Sequence, residues 1–131
     1  MTRVRAVDPE GLPRPSRHSH GAAGFGDWLF VSAQTGRTRE GRMASADVAE
    51  QMAQALDNVL DVVWAAGGSA TSLARVTVYV RDGHGYLLRR RAIDEAWQRR
   101  LGDHRPALTV FEVAGLLDDE ALVAVEAIAL V

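Results

Sequence analysis

The sequence contains no cysteine, which excludes disulfide scaffolds, Cys-based zinc sites, iron–sulfur clusters and thiol nucleophiles. It also lacks an excess of positive charge, because 15 Lys and Arg residues stand against 17 Asp and Glu residues. The overall charge therefore does not favour nucleic acid or a membrane surface as a partner. No apolar run reaches the roughly 18 residues of a membrane helix, and the first ten residues lack the apolar core of a signal peptide. We therefore expect a cytoplasmic protein.

The residues that are present fit a single folded domain over 1–131. Apolar residues make up 47% of the chain and charged residues 24%, proportions that are typical of a globular domain with a packed core. Prolines at positions 9, 13 and 15 predict an extended N-terminal segment over 1–17, because proline fixes φ and lacks a backbone donor. The glycines at 21, 24 and 26 then predict a turn between strands.

Hydrophobic periodicity predicts two helices and a set of strands in the order β, β, α, β, α, β, β. Ser45 is a candidate N-cap for a first helix that Gly67 and Gly68 end. The second helix is predicted over 86–101. Ranges are predicted for four of these five strands: 27–32, 73–81, 107–113 and 121–131.

This order predicts an α+β two-layer sandwich, with two helices on one face of a mixed, largely antiparallel sheet. Alternation along the last two strands predicts that Leu108, Val110 and Glu112 share the uncovered sheet face with Ala124 and Glu126. Such an apolar face is not expected to remain in water. We therefore expect a symmetric homo-oligomer that closes the sheet faces around a shared interior.

Several segments resemble the RidA/YjgF family, in order and with preserved spacing. They are Phe30–Gln34, Glu50–Gln51, Leu56–Val59, Ala65–Gly67, Val76–Asp82, Pro106–Ala107 and Val125–Ala129. The resemblance implies a homotrimer of chorismate-mutase-like subunits around a central barrel, with three small-molecule clefts between adjacent subunits. It also implies water attack on reactive 2-imino or enamino acids, which releases ammonia and a 2-oxo acid without a cofactor.

The residues that the family uses for this reaction are replaced here. The position of its carboxylate-binding Arg, directly after Pro-Ala, is Leu108, and the position of its catalytic Glu is Ala124. Val110 stands where the family has a small polar residue, and Ser19 stands where it has an aromatic hydroxyl. Because three of these four changes remove a polar group, we expect an altered cleft and not the standard 2-iminopropanoate deaminase.

Two histidines and one carboxylate are candidates to replace the missing groups. His18 and His20 point the same way in an extended segment and titrate near neutral pH, so either is a candidate acid or base. A metal site would need a third ligand from elsewhere, and we predict none. Glu112 is a candidate base whose pKa burial would raise; the favoured alternative is an ion pair with Arg75 or Arg81.

Three further residues are candidate ligand contacts. Arg91 falls where the family often has a polar residue facing the cleft, although it could instead pair with Asp94 or Glu95 one turn along the helix. Ser32 and Ala33 lie where the family's strand approaches its ligand. Ser32 alone does not predict a nucleophile, because the sequence fixes no base beside it.

The leading hypothesis is a RidA-like trimer that acts on a reactive imine, enamine or carbonyl metabolite in its altered clefts. The alternative is a non-catalytic trimer that binds a small ligand or has a regulatory role. The family has also been described as ribonuclease-like, and Arg89–Arg91 and Arg99–Arg100 form a basic stretch. Asp94 and Glu95 interrupt that stretch and stacking aromatics are few, so RNA is the least favoured partner.

Overall fold

The computed structural model describes residues 3–131, so the first two residues of the predicted N-terminal segment lie outside the described part. Over these described residues, nine helices and strands and one 3-10 turn follow one another. They are β1 (Val4–Val7), β2 (Gly21–Gly24), β3 (Trp28–Gln34), α1 (Val48–Ala65), the 3-10 turn (Ala70–Ser72), β4 (Leu73–Val80), α2 (Gly83–Leu88), α3 (Arg90–Leu101), β5 (Ala107–Glu112) and β6 (Val123–Leu130).

The main sheet has four strands in the order β3-β6-β4-β5. Only β4 and β5 run parallel, whereas β6 is antiparallel to both of its neighbours. Helices α1 and α3 pack on one face of this sheet, over fully buried residues such as Val78 of β4 and Val125 of β6. The predicted two-layer α+β sandwich with a mixed, largely antiparallel sheet is thus confirmed.

A second, two-stranded sheet replaces the predicted glycine-rich turn. The segment Gly21–Gly24 is itself a strand and pairs antiparallel with β1. A Cβ on Gly24 would lie 2.1 Å from the carbonyl oxygen of Arg3, so the close approach of the two backbones requires glycine at this position. Within the predicted N-terminal segment, Val4–Val7 forms strand β1.

Helix α1 begins slightly later than predicted. Its N-cap is Asp47, whose side chain accepts a hydrogen bond from the backbone N–H of Glu50 at 3.2 Å. Ser45 instead accepts a hydrogen bond from the backbone N–H of Asp47. Both residues therefore fix the entry to the helix, and only the assignment of the cap changes.

The predicted second helix is two helices, because the chain leaves helical geometry at Arg89 with φ −103° and ψ 13°. Helix α3 buries Ile93, Trp97 and Leu101 against the core, whereas α2 has no buried residue. Packing therefore holds α3 on the sheet and does not hold α2 in line with it. The glycines at 83 and 85, which precede the predicted second helix, belong to α2.

Strand β5 faces opposite to the prediction. Its register with β4 gives the pairs Val76–Leu108, Val78–Val110 and Val80–Glu112, and the three β4 residues are buried beneath the helices. Side chains level with one another in paired strands lie on the same sheet face. Leu108, Val110 and Glu112 therefore lie on the helical side, and the prediction that they lie on the uncovered face is wrong.

The uncovered face carries Ala124 and Glu126, as predicted, because Ala124 is level with Tyr79 and Glu126 is level with Thr77. The Tyr79 hydroxyl donates a hydrogen bond to the Glu126 carboxylate at 2.6 Å, and this bond raises the pKa of Tyr79. Phe111 stacks on Tyr79 with ring centroids 6.1 Å apart. Positions 108 and 124 consequently lie on opposite faces of the sheet in one subunit.

Candidate functional site

A cavity of about 740 Å³ lies on the helical side of the sheet. We call it the cleft. Its walls are residues 15–18 of the N-terminal segment, the α2–α3 region and β5, with Met52 of α1 at its inner end. An opening of this size between elements is typical of small-molecule sites.

Two side chains hold residues 15–18 against the cleft. The Arg105 guanidinium donates to the backbone carbonyls of Pro15 and His18 at 3.1 and 2.9 Å. The Trp97 indole N–H donates to the carbonyl of Arg17 at 3.0 Å. The segment is therefore tied to the core, although its proline-rich sequence contributes no apolar face of its own.

Arg105 also forms an ion pair with Asp8 at 2.7 Å, and the two side chains are only 12% and 15% exposed. The backbone N–H of His20 donates to the other carboxylate oxygen of Asp8 at 3.0 Å. Hydrogen bonds from His20 and Arg105 lower the pKa of Asp8. Asp8 thus remains ionised and helps Arg105 to fix the segment.

The two candidate histidines occupy different environments. His18 lines the cleft, where burial, followed by the charges of His20 and Arg105, lowers its pKa. His20 does not line the cleft, and its ring Nε2 lies 2.8 Å from the carbonyl oxygen of Pro13. Only His18 is therefore placed to exchange a proton with a molecule in the cleft. Over residues 3–131, no three His, Asp or Glu side chains are grouped to hold a metal ion.

Apolar side chains from β5 and α3 form one wall of the cleft. Leu108 and Val110 of β5 line it together with Ile93 and Trp97 of α3. Leu108 packs against the buried core, and Val110 remains partly exposed. These two positions thus contribute apolar side chains to the wall of the cleft.

Arg90 lines the cleft, and Arg91 does not. The Arg91 side chain is 95% exposed and lies 3.7 Å from Glu95, as the alternative reading of the sequence predicted. Within the described residues no carboxylate lies within 4.0 Å of the Arg90 guanidinium. Arg90 precedes Ile93 by three residues and Trp97 by seven, and this helical spacing could have identified it from the sequence.

Glu112 lines the cleft and accepts a hydrogen bond from the backbone N–H of Gly83 at 2.6 Å. It is exposed, not buried as the candidate-base hypothesis assumed. The predicted ion pair with Arg75 or Arg81 is absent from the part of the chain that the structure describes. The carboxylate instead anchors the first residue of α2.

Ser32, Ala33 and Ala124 form a second group, away from the cleft. Between the pairs Val31–Ala127 and Gln34–Val125 the register shifts. Ser32 and Ala33 of β3 therefore stand opposite the single residue Glu126 of β6. This arrangement of two residues against one is a β-bulge. Both bulge residues are exposed.

Ser19 belongs to neither group. It is 2% exposed, its hydroxyl donates to the carbonyl of Arg105 at 2.7 Å, and its backbone N–H donates to the carbonyl of Pro106. These bonds make it a structural residue that attaches the N-terminal segment to the edge of β5. The predicted ligand contact at Ser19 has no support in this placement.

The basic stretch considered for RNA is largely neutralised by ion pairs. Three of its five arginines have a carboxylate partner: Arg89 with Asp47 at 2.8 Å, Arg100 with Asp57 at 2.7 Å, and Arg91 with Glu95 at 3.7 Å. Charges paired in this way are less available for phosphates.

Comparison with known proteins agrees with the fold and the motifs. Residues 12–131 match the model of the family described as Endoribonuclease L-PSP. A RutC family protein from Pyrococcus horikoshii is 30% identical over 121 residues, which cover 92% of each chain. A human protein named 2-iminobutanoate/2-iminopropanoate deaminase is 28% identical over 89 residues, or 67% of this chain and 62% of that one.

Among solved structures, a protein of the conserved Rid family from Yersinia pestis, YyfB, superposes with a TM-score of 0.86. It is 25% identical, and the superposition covers 98% of this chain and 99% of that chain. Sequence, fold and family model therefore agree: the chain belongs to the Endoribonuclease L-PSP family, which is the RidA/YjgF family that its motifs resemble.

Proposed function

We propose that the protein is a Rid-type enzyme that acts on a reactive imine, enamine or carbonyl metabolite in the cleft. The observation that carries the proposal is the convergence of two proton-transfer groups, His18 and Glu112, on one apolar cavity of about 740 Å³. The name of the human relative, an imine deaminase, supports imine chemistry for this chain.

The proposed reaction is hydrolysis of a carbon–nitrogen double bond. The oxygen of a water molecule bonds to the imine carbon, the carbon–nitrogen bond breaks, and both water protons leave on ammonia. His18 accepts a proton from the attacking water, because its lowered pKa keeps the imidazole neutral near pH 7. The Glu112 carboxylate, fixed by the N–H of Gly83, faces the same space. It takes the second water proton from the hydroxyl of the tetrahedral intermediate and passes it to the nitrogen, and protonated His18 delivers the first proton there as the carbon–nitrogen bond breaks.

We further propose that the site is completed between the subunits of a homotrimer. Leu108 and Val110 lie on the helical side of the sheet, whereas Ser32, Ala33 and Ala124 lie at the bulge or on the uncovered face. One subunit cannot bring both groups around one ligand. A second copy, docked through its uncovered face, would place its bulge at the mouth of the cleft.

The alternative, a ligand-binding trimer without catalysis, is favoured by one observation. The family's catalytic Glu is Ala124 here, so the second group contributes no carboxylate from that position. The test is therefore a rate measurement on imines generated in situ by an amino acid oxidase, with ammonia and 2-oxo acid measured as products.

We expect the protein to accelerate product formation, and His18→Asn to lower kcat by about 10²–10⁴-fold with KM little changed, because general-base catalysis contributes factors of this size. His20→Asn, two residues away and outside the cleft, is the matched control and should retain the rate. Saturable binding of a 2-oxo acid without turnover of any imine would establish the non-catalytic alternative instead.

A further inference from the structure

Building on the proposed function, we infer that the cleft selects 2-imino acids with large apolar side chains and that Arg90 binds their carboxylate. These substrates differ from the smallest 2-imino acids only in their side chain, which is larger and apolar. The reaction remains the hydrolysis described above: a 2-imino acid and water give a 2-oxo acid and ammonia.

The size and lining of the cleft carry the first part of this inference. Its volume of about 740 Å³ lies within the range of roughly 300–1,000 Å³ that accommodates drug-sized ligands. A three-carbon substrate would leave the apolar surfaces of Leu108, Val110, Ile93 and Trp97 without a partner. Each additional methylene that fills an apolar pocket favours the larger substrate over the smaller one by about 10-fold or more. We therefore expect a branched or aromatic side chain to be preferred.

The charges around the cleft carry the second part. Two arginines that line the cleft, Arg17 and Arg90, have no carboxylate within 4.0 Å among residues 3–131. The Arg17 guanidinium donates a hydrogen bond to the Gln98 side chain, so Arg90 is the better placed of the two to bind a substrate carboxylate through two hydrogen bonds of its planar guanidinium. Asp94 and Glu112 also line the cleft and suit the imine nitrogen, which is cationic when protonated. A 2-imino acid has a carboxylate for Arg90, an imine nitrogen for Asp94 and Glu112, and a side chain that can contact the apolar wall.

Binding of 2-oxo acids tests the selectivity without requiring catalysis. By calorimetry we expect 4-methyl-2-oxopentanoate and phenylpyruvate to bind at least 10-fold tighter than pyruvate. Arg90→Gln should weaken all three at least 10-fold, whereas its neighbour Arg91→Gln, exposed and paired with Glu95, should change none. Equal affinity for the three acids, or equal effects of the two Arg variants, would overturn the inference.

The apolar wall is tested by Leu108→Arg, which should remove the preference for large side chains. Because Leu108 packs against the core, Val110→Thr provides a milder second variant of nearly the same shape, and it should reduce the preference at least 3-fold. Leu117→Arg, on an exposed turn, is the control for added charge. Unchanged selectivity in the folded Val110→Thr variant would contradict the role of the wall.

Turnover separates this inference from the proposed function. The imine derived from leucine should be hydrolysed at least 10-fold faster, by kcat/KM, than the imine derived from alanine. Size-selective binding without hydrolysis would overturn the enzymatic proposal and leave the ligand class standing. Hydrolysis of both imines at one rate would support the enzyme and overturn the selectivity.

Discussion

His18 and His20 show how two residues of one type, separated by a single position, acquire different chemical properties. The backbone of His20 is tied to Asp8, and its ring lies beside the carbonyl of Pro13. His18 is partly buried at the edge of the cleft and lies near the cation of Arg105. Because burial and positive charge both disfavour the protonated ring, His18 remains a neutral base at pH values where an ordinary histidine is protonated.

This shift predicts an acid-shifted pH profile. If His18 is the general base, kcat/KM should stay level as the pH falls past 6.5, the ordinary histidine value, and should decline only at lower pH. The free energy of unfolding should already decrease between pH 6.5 and the native pKa of His18, where the rate is still level. In this interval the histidine of the unfolded chain binds a proton and the histidine of the folded chain does not. A rate profile with its inflection at or above 6.5 would contradict the assignment, and His18→Asn should lose the inflection.

At the scale of elements, α1 does more than cover the sheet, because one polar residue in its buried face organises two loops. The Gln51 side chain donates to the backbone carbonyls of Ser45 and Glu120 at 2.9 and 3.1 Å, and it accepts from the N–H of Leu122 at 2.7 Å. The preceding turn packs closely here, since a Cβ on Gly36 would lie 2.7 Å from the Cα of Gln51. Gln51 thus has a structural role in this chain.

We therefore predict that Gln51→Leu destabilises the fold while keeping the side chain's approximate size. The substitution leaves three backbone groups without their partner, at about 1–3 kcal/mol for each buried group that water does not reach. Unfolding in urea measures this loss directly. Gln98→Leu, at an exposed position of α3, removes one solvent-exposed hydrogen bond from Arg17 and should lower the free energy of unfolding by no more than about 1 kcal/mol. A similarly small change for Gln51→Leu would show that its hydrogen bonds are dispensable.

The elements with strong periodicity could be predicted from the sequence, and those fixed by tertiary contacts could not. Helix α1 and strands β4 and β6 have one clearly apolar face each, and they were predicted within a few residues. The strand Gly21–Gly24 was missed because its small residues lack strand propensity and are ordered by pairing with β1. Leu108 was assigned to the wrong face because alternation shows which residues share a face, not which face is covered.

The same limits apply to the candidate site. Four of the predicted site residues line one cleft: His18, Leu108, Val110 and Glu112. The three residues of β5 reach it from the helical side of the sheet, whereas the prediction placed them on the uncovered face. Arg91 is predicted from the position of a polar residue in the family's second helix, whereas the break at Arg89 sets the phase of α3. A single helical residue changes direction by about 100°, so choosing its neighbour selects a different surface.

At the scale of the whole molecule, the uncovered sheet face is the feature that a single subunit does not explain. Trp28 and Phe30 are 69% and 67% exposed, and Phe111 lies further across the same face. Exposed aromatic surface of this kind marks an interface in soluble proteins. Among residues 3–131, no helix has the length and apolar character to cross a membrane.

The final prediction is that this face joins three copies, so that assembly and ligand binding fail together. Sedimentation of the protein should give three times the mass of one chain, and Phe30→Glu should shift it to the monomer, because a carboxylate in an apolar contact loses its hydration. Since the bulge at Ser32 and Ala33 would then leave the mouth of the cleft, the affinity for 4-methyl-2-oxopentanoate should fall at least 10-fold. Leu117→Glu, which adds the same charge on an exposed turn, should retain both properties. A Phe30→Glu monomer with unchanged affinity would show that the cleft is complete within one subunit, and a monomeric parent protein would contradict the trimer itself.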